Sequence, residues 1–372
     1  MDGLFFDEVL LVTGFPSFRA RSLVAWLVEN AQFARLELIV HPRRRQEAQA
    51  MLAELASGER VNLLDGDPGA IDFGLSSDEY LDLGRRVQRV FSMHQVTDAT
   101  LDEETAREAN IKGARELIEF GRTAKDLRCL VHFSSAFVSG NRTGLVLEDE
   151  LDVGQSFRNP VEETLALSEL MMRRAMDDLP ILIVRPSQIV GDSETGEVER
   201  LDGPYPLIVL MVSAQAEVAL PLPPRADTLL HIVPIDFVTR AACRLAARPE
   251  TAGRTFHLTD PSPLSARRFL ELLAERCGKT LAPGFHPSAL TRALLSNPGV
   301  RLLTKSPRAL LDMLATAVSY DTRQADSLLA LDGISCPSVE SYVSALIGHV
   351  EERIAAGNLA RSKQGDIHDL IA

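Results

Sequence analysis

The sequence predicts an α/β protein: a Rossmann-like, doubly wound parallel sheet with a smaller, mostly helical C-terminal part. In the first half, short runs rich in Val, Ile and Leu alternate with longer segments of helical periodicity. These runs are apolar nearly throughout, as in strands that are buried on both faces of a parallel sheet. After Gly191 the alternation gives way to proline-rich segments and then to helical patterns over 264–318.

The alternating half begins with EVLLVTG and RLELIVH, whose β-branched and apolar residues predict buried strands. Between most strands, apolar residues recur at three- and four-residue spacing, which is typical of a helix that covers a sheet. Strand–helix–strand repeats run their strands in one direction, so we expect helices on both faces of a parallel sheet. The predicted strands are 8–14, 35–41, 60–67, 87–94, 128–137 and 180–191, and the predicted helices are 18–30, 44–55, 103–123 and 162–178.

The change of pattern near residue 200 predicts the domain organisation. We expect a Rossmann-like domain at 1–200 and a C-terminal cap or substrate-type region at 201–355, as parts of one unit. The cap would cover the carboxyl ends of the strands, where doubly wound sheets bind ligands. Residues 356–372 lose periodicity and are expected to form a mobile tail. The helices predicted in the cap are 265–277, 287–297 and 306–318.

Composition excludes several classes of function. Thirty-nine Lys and Arg against 52 Asp and Glu give a net charge of −13, which argues against nucleic-acid binding. The four cysteines have no CxxC spacing, and the histidines and carboxylates have no metal-ligand spacing, so no disulfide framework or metal site is expected. The N-terminus lacks a basic signal-peptide region, and polar residues and prolines interrupt the most apolar later run. We therefore expect a cytoplasmic protein without a membrane span.

The first strand leads directly into TGFPSFRA and a helix, the position of a dinucleotide-binding loop. Glycines in such a loop permit a tight turn and bring the backbone close to the pyrophosphate, which rests on the helix N-terminus. Here the sequence resembles the extended short-chain dehydrogenase/reductase family, in its fatty acyl-CoA reductase and thioester reductase branch. The family pattern is TGxxGxxG, and this chain has Thr13 and Gly14 but Ser17 and Ala20 in place of the later glycines.

The resemblance extends over about residues 8–350. It is carried by segments that occur in the same order as in the branch. These segments are LIVHPRRRQEA (38–48), LLDGD (63–67), FGLS (73–76), NIKG (110–113), FSSAFVSG (133–140), VRPSQIVGD (184–192), DGPY (202–205), HIVPIDFV (231–238) and FHLTDPSPLS (256–265).

The resemblance implies a site for NADP or NAD, with several departures from the family pattern. His41 stands where the family has an arginine for the adenosine 2′-phosphate, with Arg43 shortly after. His94 and Gln95 replace two alanines at the end of the fourth strand. We therefore expect weak dinucleotide binding or none. The cofactor-binding residues that the resemblance implies are Thr13, Gly14, Ser17, Phe18, His41, Arg43, Asp67, His94 and Pro186.

The catalytic helix of the branch reads N-x-Y-E-x-[ST]-K, with a tyrosine that donates a proton and a lysine one helical turn later that lowers its pKa. Asn159, Glu162 and Thr164 match this pattern, but Val161 and Leu165 occupy the tyrosine and lysine places. No tyrosine or lysine lies between residues 126 and 204, so no nearby slip in register restores the pair. We expect Val161 and Leu165 to face the cleft.

Two further residues of the family's catalytic set remain by resemblance: Ser135, which orients the carbonyl, and Asn110, which supports a water chain. A hydrolase built on Ser135 with His94 or His132 is disfavoured, because there is no GxSxG elbow and Ser135 is expected within a strand. Tyr205 could approach the cleft from the C-terminal part, although its place in the family is elsewhere.

Joint loss of the cofactor-binding and proton-transfer residues favours a degenerate, catalytically inactive reductase that serves as a binding or regulatory module. Its partner would be a protein or an acyl-type small molecule. The alternative is an active NADPH-dependent reductase of an acyl thioester or another carbonyl compound, with Ser135, Asn110 and a non-standard proton donor. Many relatives pair through helices of the reductase domain, so the resemblance is also compatible with a homodimer.

Overall fold

Seven parallel strands form the central sheet, in the order β11-β7-β5-β4-β1-β2-β3. The computed structural model describes residues 3–55, 58–213, 217–218, 228–281 and 317–357. The strands are Val9–Thr13 (β1), Arg35–Val40 (β2), Val61–Asp65 (β3), Arg89–Ser92 (β4), Cys129–Phe133 (β5), Gly144–Val146 (β6), Ile181–Pro186 (β7), Gln188–Val190 (β8), Glu217–Val218 (β9), Ile232–Pro234 (β10), Arg254–Leu258 (β11), Thr280–Leu281 (β12) and Val318–Tyr320 (β13).

Helices cover both faces of this sheet, as the repeated strand–helix–strand pattern predicts. Leu10 and Val12 of β1 belong to the apolar layer under α1 and α8, whereas Leu11 belongs to the opposite layer with α3, α5 and α6. The fold class predicted from the sequence is therefore confirmed. The helices are Phe18–Asn30 (α1), Arg45–Glu54 (α2), Ser77–Arg86 (α3), Glu103–Arg107 (α4), Gly113–Thr123 (α5), Pro160–Ala175 (α6), Tyr205–Ser213 (α7), Ile235–Ala246 (α8), Ala266–Arg276 (α9), Arg323–Leu329 (α10) and Val339–Ala355 (α11).

The strand order reverses next to β1, which lies between β2 and β4. Ligands of doubly wound sheets bind in the crevice beyond the carboxyl ends of the strands at this switch point. We call the space between the ends of β1 and β4 the switch-point crevice. It is bordered by Thr13 on one side and Ser92 on the other, which are paired in register.

A second apolar cluster lies in the C-terminal part, where α7, α9 and α11 pack together. The boundary predicted at residue 200 stays a prediction, but the central sheet also takes its edge strand β11 from beyond it. The predicted helix 265–277 is present as α9. The predicted helix 287–297, all but the last two residues of 306–318, and the tail after residue 357 lie outside the described residues.

Two predicted segments differ from the structure. The strand predicted at 128–137 ends at Phe133, so Ser135 lies beyond it at the start of a short 3-10 helix, Ala136–Ser139. The expectation that Ser135 lies within a strand was wrong, because the backbone turns at the carboxyl edge of the sheet. No helix was predicted between the third and fourth strands, but the structure has α3 there.

Glu148 joins the central sheet to the C-terminal part. Its side chain is fully buried and accepts hydrogen bonds from the backbone N–H groups of His257 (3.0 Å) and, at the start of α10, Gln324 (3.0 Å) and Ala325 (3.3 Å). Burial raises the pKa of Glu148 to about 7, although these three donors act in the opposite direction. The carboxyl group is therefore held near the midpoint of its titration at neutral pH.

A pH dependence of stability follows. Because the folded-state pKa lies above the usual value of 4.5, the folded protein holds this proton more tightly than the unfolded chain. The Glu148 contribution to the free energy of unfolding should therefore decrease as the pH rises from about 4.5 to 7. Urea denaturation across this window should show wild type losing stability relative to Glu148→Gln. The exposed Asp152→Asn variant should follow the wild type, and parallel curves for wild type and Glu148→Gln would contradict the assignment.

Candidate functional site

The turn after β1 retains the one glycine that its geometry requires. Gly14 has a φ of +84°, and a Cβ at this position would lie 2.6 Å from the carbonyl oxygen of Met93. Thr13 bridges the two strands that border the switch-point crevice: its hydroxyl accepts from the Met93 N–H (3.3 Å) and is hydrogen-bonded to His94 Nδ1 (2.8 Å). The side chain of His94 therefore reaches across the crevice to the end of β1.

A second side chain makes the same crossing. The guanidinium of Arg19, in the first turn of α1, donates to the carbonyl oxygen of Gln95, which follows β4. Burial lowers the pKa of Arg19 to about 10, although the nearby carboxylates of Asp202 and Glu199 act in the opposite direction. Arg19 remains a cation at neutral pH, enclosed in the crevice.

The N-terminus of α1 carries an internal anion. The backbone N–H of Phe18 donates to Glu199 Oε2 at 3.0 Å, in the position where a dinucleotide loop presents its N–H groups to a phosphate. Ser17, the N-cap residue, makes no side-chain capping bond, and its buried hydroxyl has no hydrogen-bond partner among the described residues. The first free N–H of the helix is thus satisfied by a carboxylate 181 residues away in the sequence.

His94, Gln95 and His132 form a polar group behind these contacts, in which His94 is half-buried and the other two are buried. His94 packs against Gly113, where a Cβ would overlap its ring. The amide of Gln95 contacts the hydroxyl of Ser92 and, at 3.3 Å, Nδ1 of His132. Burial lowers the pKa of His94 to about 3 and that of His132 to about 4, so both rings are neutral at pH 7 and cannot act as general acids there.

The implied adenosine-binding residues lie at the ends of β2 and β3. His41 Nδ1 accepts from the Arg43 N–H at 3.3 Å and caps a short 3-10 helix, and the Arg43 side chain is exposed. Arg45 pairs with Asp65 at 2.7 Å. Asp67 Oδ1 accepts from the Gly69 N–H at 2.8 Å, so this carboxylate stabilises its own turn. Each of these polar groups has a local partner.

Asn110 is fully buried in a single π-helical turn, Glu108–Lys112, between α4 and α5. Its Oδ1 accepts from the Val96 N–H (2.9 Å), and its Nδ2 donates to the Val96 carbonyl (3.3 Å) and to the Thr164 hydroxyl on α6 (3.0 Å). The amide thus fastens α6 to the segment that follows β4. π-Helical turns are frequent at functional sites, but both donors of this amide group are already used within the protein.

Ser135 is 6% exposed, and its hydroxyl accepts from the Phe137 N–H at 3.2 Å. In the described part of the chain, its hydroxyl is hydrogen-bonded to neither His94 nor His132. The neighbouring Ser134 instead donates to Glu169 Oε2 at 2.6 Å. The geometry therefore gives Ser135 no base that could activate it as a nucleophile.

Val161 and Leu165 do not face an open cleft, and the expectation that they do was wrong. Each is 2% exposed, in an apolar cluster with Val138 and residues from two other segments. Asn159 caps α6 by accepting from the Glu162 N–H at 3.0 Å, so the helix begins where the family pattern predicts. The cluster consists of Ala106, Val138, Leu151, Val161, Leu165 and Ala166. Apolar side chains from α4 and from the segment before α6 cover both positions.

Glu169, about one helical turn after Leu165 on the same stripe of α6, forms a fully buried ion pair with Arg185 of β7. The pair is bidentate, at 2.6 Å and 2.9 Å. Burial by itself raises the pKa of Glu169, but Arg185, Arg173 and Ser134 together lower it to about 2. The carboxylate is therefore ionised at neutral pH.

Two further candidates lie away from these groups. Pro186, at the end of β7, is buried within the sheet. The Tyr205 hydroxyl accepts from the Gly191 N–H at 2.8 Å, and its ring belongs to the C-terminal apolar cluster. Burial raises the pKa of Tyr205. Its hydroxyl is committed to a backbone group, so Tyr205 is a structural residue of the C-terminal part.

Two residues near the crevice escaped the sequence analysis: Arg19 and Glu199. Arg19 lies within the glycine-loop motif, between Ser17 and Ala20. A charged residue at this place in the motif could have indicated a role in the crevice. Glu199 offered no such indication, because its contact with Phe18 depends on the tertiary fold alone.

The parallel sheet, the glycine turn after β1 and the switch-point crevice define a protein of the extended short-chain dehydrogenase/reductase type. The NAD-binding family model described as "Male sterility protein" matches residues 12–242. That match covers more than half of the chain, and the chain belongs to this family. Among the described residues, no helix combines the length and the apolar character that a membrane crossing requires.

Curated relatives bear reductase or peptide synthetase names. "Fatty acyl-CoA reductase wat" of Drosophila melanogaster is 23% identical over 279 residues, which cover 63% of this chain and 53% of that protein. "Non-canonical nonribosomal peptide synthetase FrzA" of Cladobotryum sp is 26% identical over 278 residues, which cover 68% of this chain and 26% of that protein. The matches thus span about half or less of the length of these relatives.

Solved structures share the fold over nearly the whole chain. The terminal R domain from the myxalamid biosynthetic pathway has a TM-score of 0.75 at 24% identity, covering 95% of this chain and 92% of that one. The reductase domain of a nonribosomal peptide synthetase from Mycobacterium tuberculosis has a TM-score of 0.74 at 21% identity, covering 94% and 92%. At these identities the likeness establishes the fold alone.

The Glu169–Arg185 pair generates a stability prediction. Glu169→Gln leaves a buried guanidinium without its counter-charge and should lower the free energy of unfolding by about 3–5 kcal/mol. The folded-state pKa of about 2 lies below the usual 4.5. The stabilisation should therefore be complete above about pH 4.5 and be lost as the pH falls toward 2.

Chemical denaturation of both forms at several pH values measures this effect. The matched control is Glu163→Gln, an exposed position on the same helix, which should change the free energy of unfolding by no more than about 0.5 kcal/mol. A Glu169→Gln variant as stable as wild type at neutral pH would show that the pair is not needed.

Proposed function

We propose that this chain is a degenerate member of its reductase family that acts as a ligand- or protein-binding, regulatory module. The observation that carries the proposal is the burial of Val161 and Leu165 in an apolar cluster, where the family pattern has its tyrosine and lysine. Neither side chain has a proton to transfer, and the loss of a positioned general acid typically costs about 10²–10⁴ in rate.

The crevice supports the same proposal. Thr13 and Arg19 each form a hydrogen bond across it, to His94 and to Gln95. A dinucleotide in the family position would have to break both contacts and displace the carboxylate on Phe18. The residues present therefore do not fit NADP or NAD in that position.

The partner that we propose is another protein or an acyl-type small molecule, and a second copy of the chain belongs to the first class. The outward face of α5 carries Arg115, Glu119 and Arg122, all exposed, and α6 exposes Glu163 and Arg174. This mixture of charges suits a polar contact better than a large apolar one. A dimer through these helices would therefore be sensitive to salt.

One observation favours the alternative, an active reductase with a non-standard proton donor. The Tyr320 hydroxyl is 3.0 Å from Ser139 Oγ, on the 3-10 turn that begins at Ser135. Burial raises the pKa of Tyr320 to about 12, so it holds a proton at neutral pH. However, Tyr320 is 7% exposed and Ser139 is 3% exposed, so a substrate has little access to this hydroxyl.

Turnover and dinucleotide binding separate the two functions. We expect the protein to oxidise neither NADPH nor NADH with acyl thioesters or aldehydes. Trp26, the single tryptophan, lies on α1 eight residues after Phe18, which places it about 12 Å from the helix N-terminus. Titration with either dinucleotide should leave its fluorescence unchanged at micromolar concentrations. Micromolar binding of a dinucleotide together with turnover would contradict the proposal. Loss of that turnover in Tyr320→Phe would then identify Tyr320 as the proton donor.

Restoring the family pair tests whether only two residues are missing. Val161→Tyr with Leu165→Lys forces a larger ring and a charge into the apolar cluster, so we expect no gain of activity. Overpacking by the ring alone should lower the free energy of unfolding by about 1–3 kcal/mol, and the buried lysine should add to this.

The control for this double variant is Leu167→Lys, a half-buried position on the same helix, which should be tolerated better. Thermal unfolding and NADPH oxidation are measured on wild type, the double variant and Leu167→Lys. Reductase activity in the double variant would mean that the rest of the site is competent, contrary to the proposal.

A further inference from the structure

One acidic segment covers the N-terminus of α1 and is not part of the family's catalytic set. We call residues 192–202 the acidic strap. It follows β8 and leads to α7, and within the described chain it supplies the carboxylate that contacts Phe18. Its acidic residues are Asp192, Glu194, Glu197, Glu199 and Asp202.

Contacts along its length hold the strap in place. The Ser193 N–H and hydroxyl both donate to Asp236, each at 2.9 Å. Arg200 pairs with Asp98, in the segment after β4, at 2.6 Å. Arg353 of α11 donates to the carbonyl oxygen of Glu199 at 3.1 Å. The strap is therefore attached to α8, to the rim of the crevice and to the C-terminal part.

Glu199 lies at the N-terminus of α1, a place where helices commonly bind anions. The backbone N–H groups in the first turn of a helix have no intrahelical partner and attract anions, with help from the helix dipole. Glu199 Oε2 is 3.0 Å from the Phe18 N–H of a 13-residue helix, and the half-buried cation Arg19 interacts electrostatically with both Asp202 and Glu199. A phosphate entering here would meet a carboxylate of like charge at the same donor.

We propose that Glu199 is an internal ligand of α1 and that the acidic strap excludes phosphate-bearing ligands from the switch-point crevice. Arg19 and the helix N-terminus already interact with a carboxylate of the chain. The free energy of binding of a diphosphate is therefore reduced by the cost of displacing Glu199. This inference goes beyond the proposed function, because it concerns access to the crevice and not proton transfer. It identifies Glu199 as the residue that determines which charge the crevice accepts.

Glu199→Ala removes the internal ligand and should open the site to anions. We expect NADPH, ADP and inorganic pyrophosphate each to bind this variant at least tenfold more tightly than wild type, measured by calorimetry and by Trp26 fluorescence. Glu199→Gln keeps an acceptor for the Phe18 N–H without the charge, so its affinity should lie between the two. It also provides a test if the alanine variant does not fold.

The matched control is Glu194→Ala, which removes one negative charge from an exposed position in the same strap. It should bind all three probes within twofold of wild type. A second readout needs no ligand: hydrogen exchange of the Phe18 amide should be faster in Glu199→Ala than in wild type, because the hydrogen bond to the carboxylate is gone.

The inference is overturned if wild type binds NADPH as tightly as Glu199→Ala, or if Glu199→Ala binds the probes no more tightly than Glu194→Ala. These outcomes are distinct from those of the proposed function, which is decided by turnover. Turnover by wild type contradicts the proposed function whatever Glu199 does. Unchanged affinity in Glu199→Ala contradicts the role of the strap even when no protein shows activity.

Discussion

The buried ion pair between Glu169 and Arg185 is the interaction on which the arrangement of this site depends. It ties α6 to β7, and Arg185 also donates to the carbonyl oxygen of Glu150 at 2.8 Å. The Glu148 carboxylate, two residues earlier, then reaches β11 and the start of α10. One line of polar contacts therefore runs from the helix of the family's catalytic motif through the sheet to the C-terminal part. Because Glu169 and Arg185 are both fully buried, removing either one leaves the charge of the other uncompensated.

This arrangement shows what stabilises α6 with valine and leucine in the places of the family's tyrosine and lysine. Val161, Leu165 and Glu169 are spaced four residues apart and share one stripe of α6. The stripe is anchored by charge at Glu169 and by burial at the other two positions. A fully buried aliphatic side chain contributes about 1.5–3 kcal/mol, so valine and leucine stabilise the helix where a tyrosine and a lysine would need polar partners.

Much of the fold could be predicted because its signals are local. Apolar runs and helical spacing predicted β1, α1, the parallel sheet and a helix at 162–178, where α6 spans Pro160–Ala175. The helix α3 was missed because half of its residues are charged and only Tyr80, Leu83 and Gly84 are buried. Its capping box, Ser76 with Glu79, was a usable signal at the sequence level.

The contacts that close the crevice could not be predicted in the same way. Arg19 reaches a carbonyl 76 residues away, and Phe18 meets a carboxylate 181 residues away. Periodicity and motif spacing describe residues a few positions apart, so they carry no information about such pairs. The same limit applies to Val161 and Leu165: the sequence indicated that their chemistry is absent, and only the packed structure indicates what covers them.

The altered cofactor site depends on electrostatics. A dinucleotide loop leaves the positive end of α1 facing the crevice, and in this chain Arg19 adds a half-buried cation to it. A partly buried positive charge without an anion is costly, and in a dinucleotide-binding protein the cofactor's phosphates supply that anion. In this chain Glu199 supplies negative charge at α1 from within the fold, at a fixed position and independent of any ligand concentration. In the phosphate exclusion that we propose, the hydrogen bond between Phe18 and Glu199 both stabilises the helix N-terminus and opposes a phosphate-bearing cofactor.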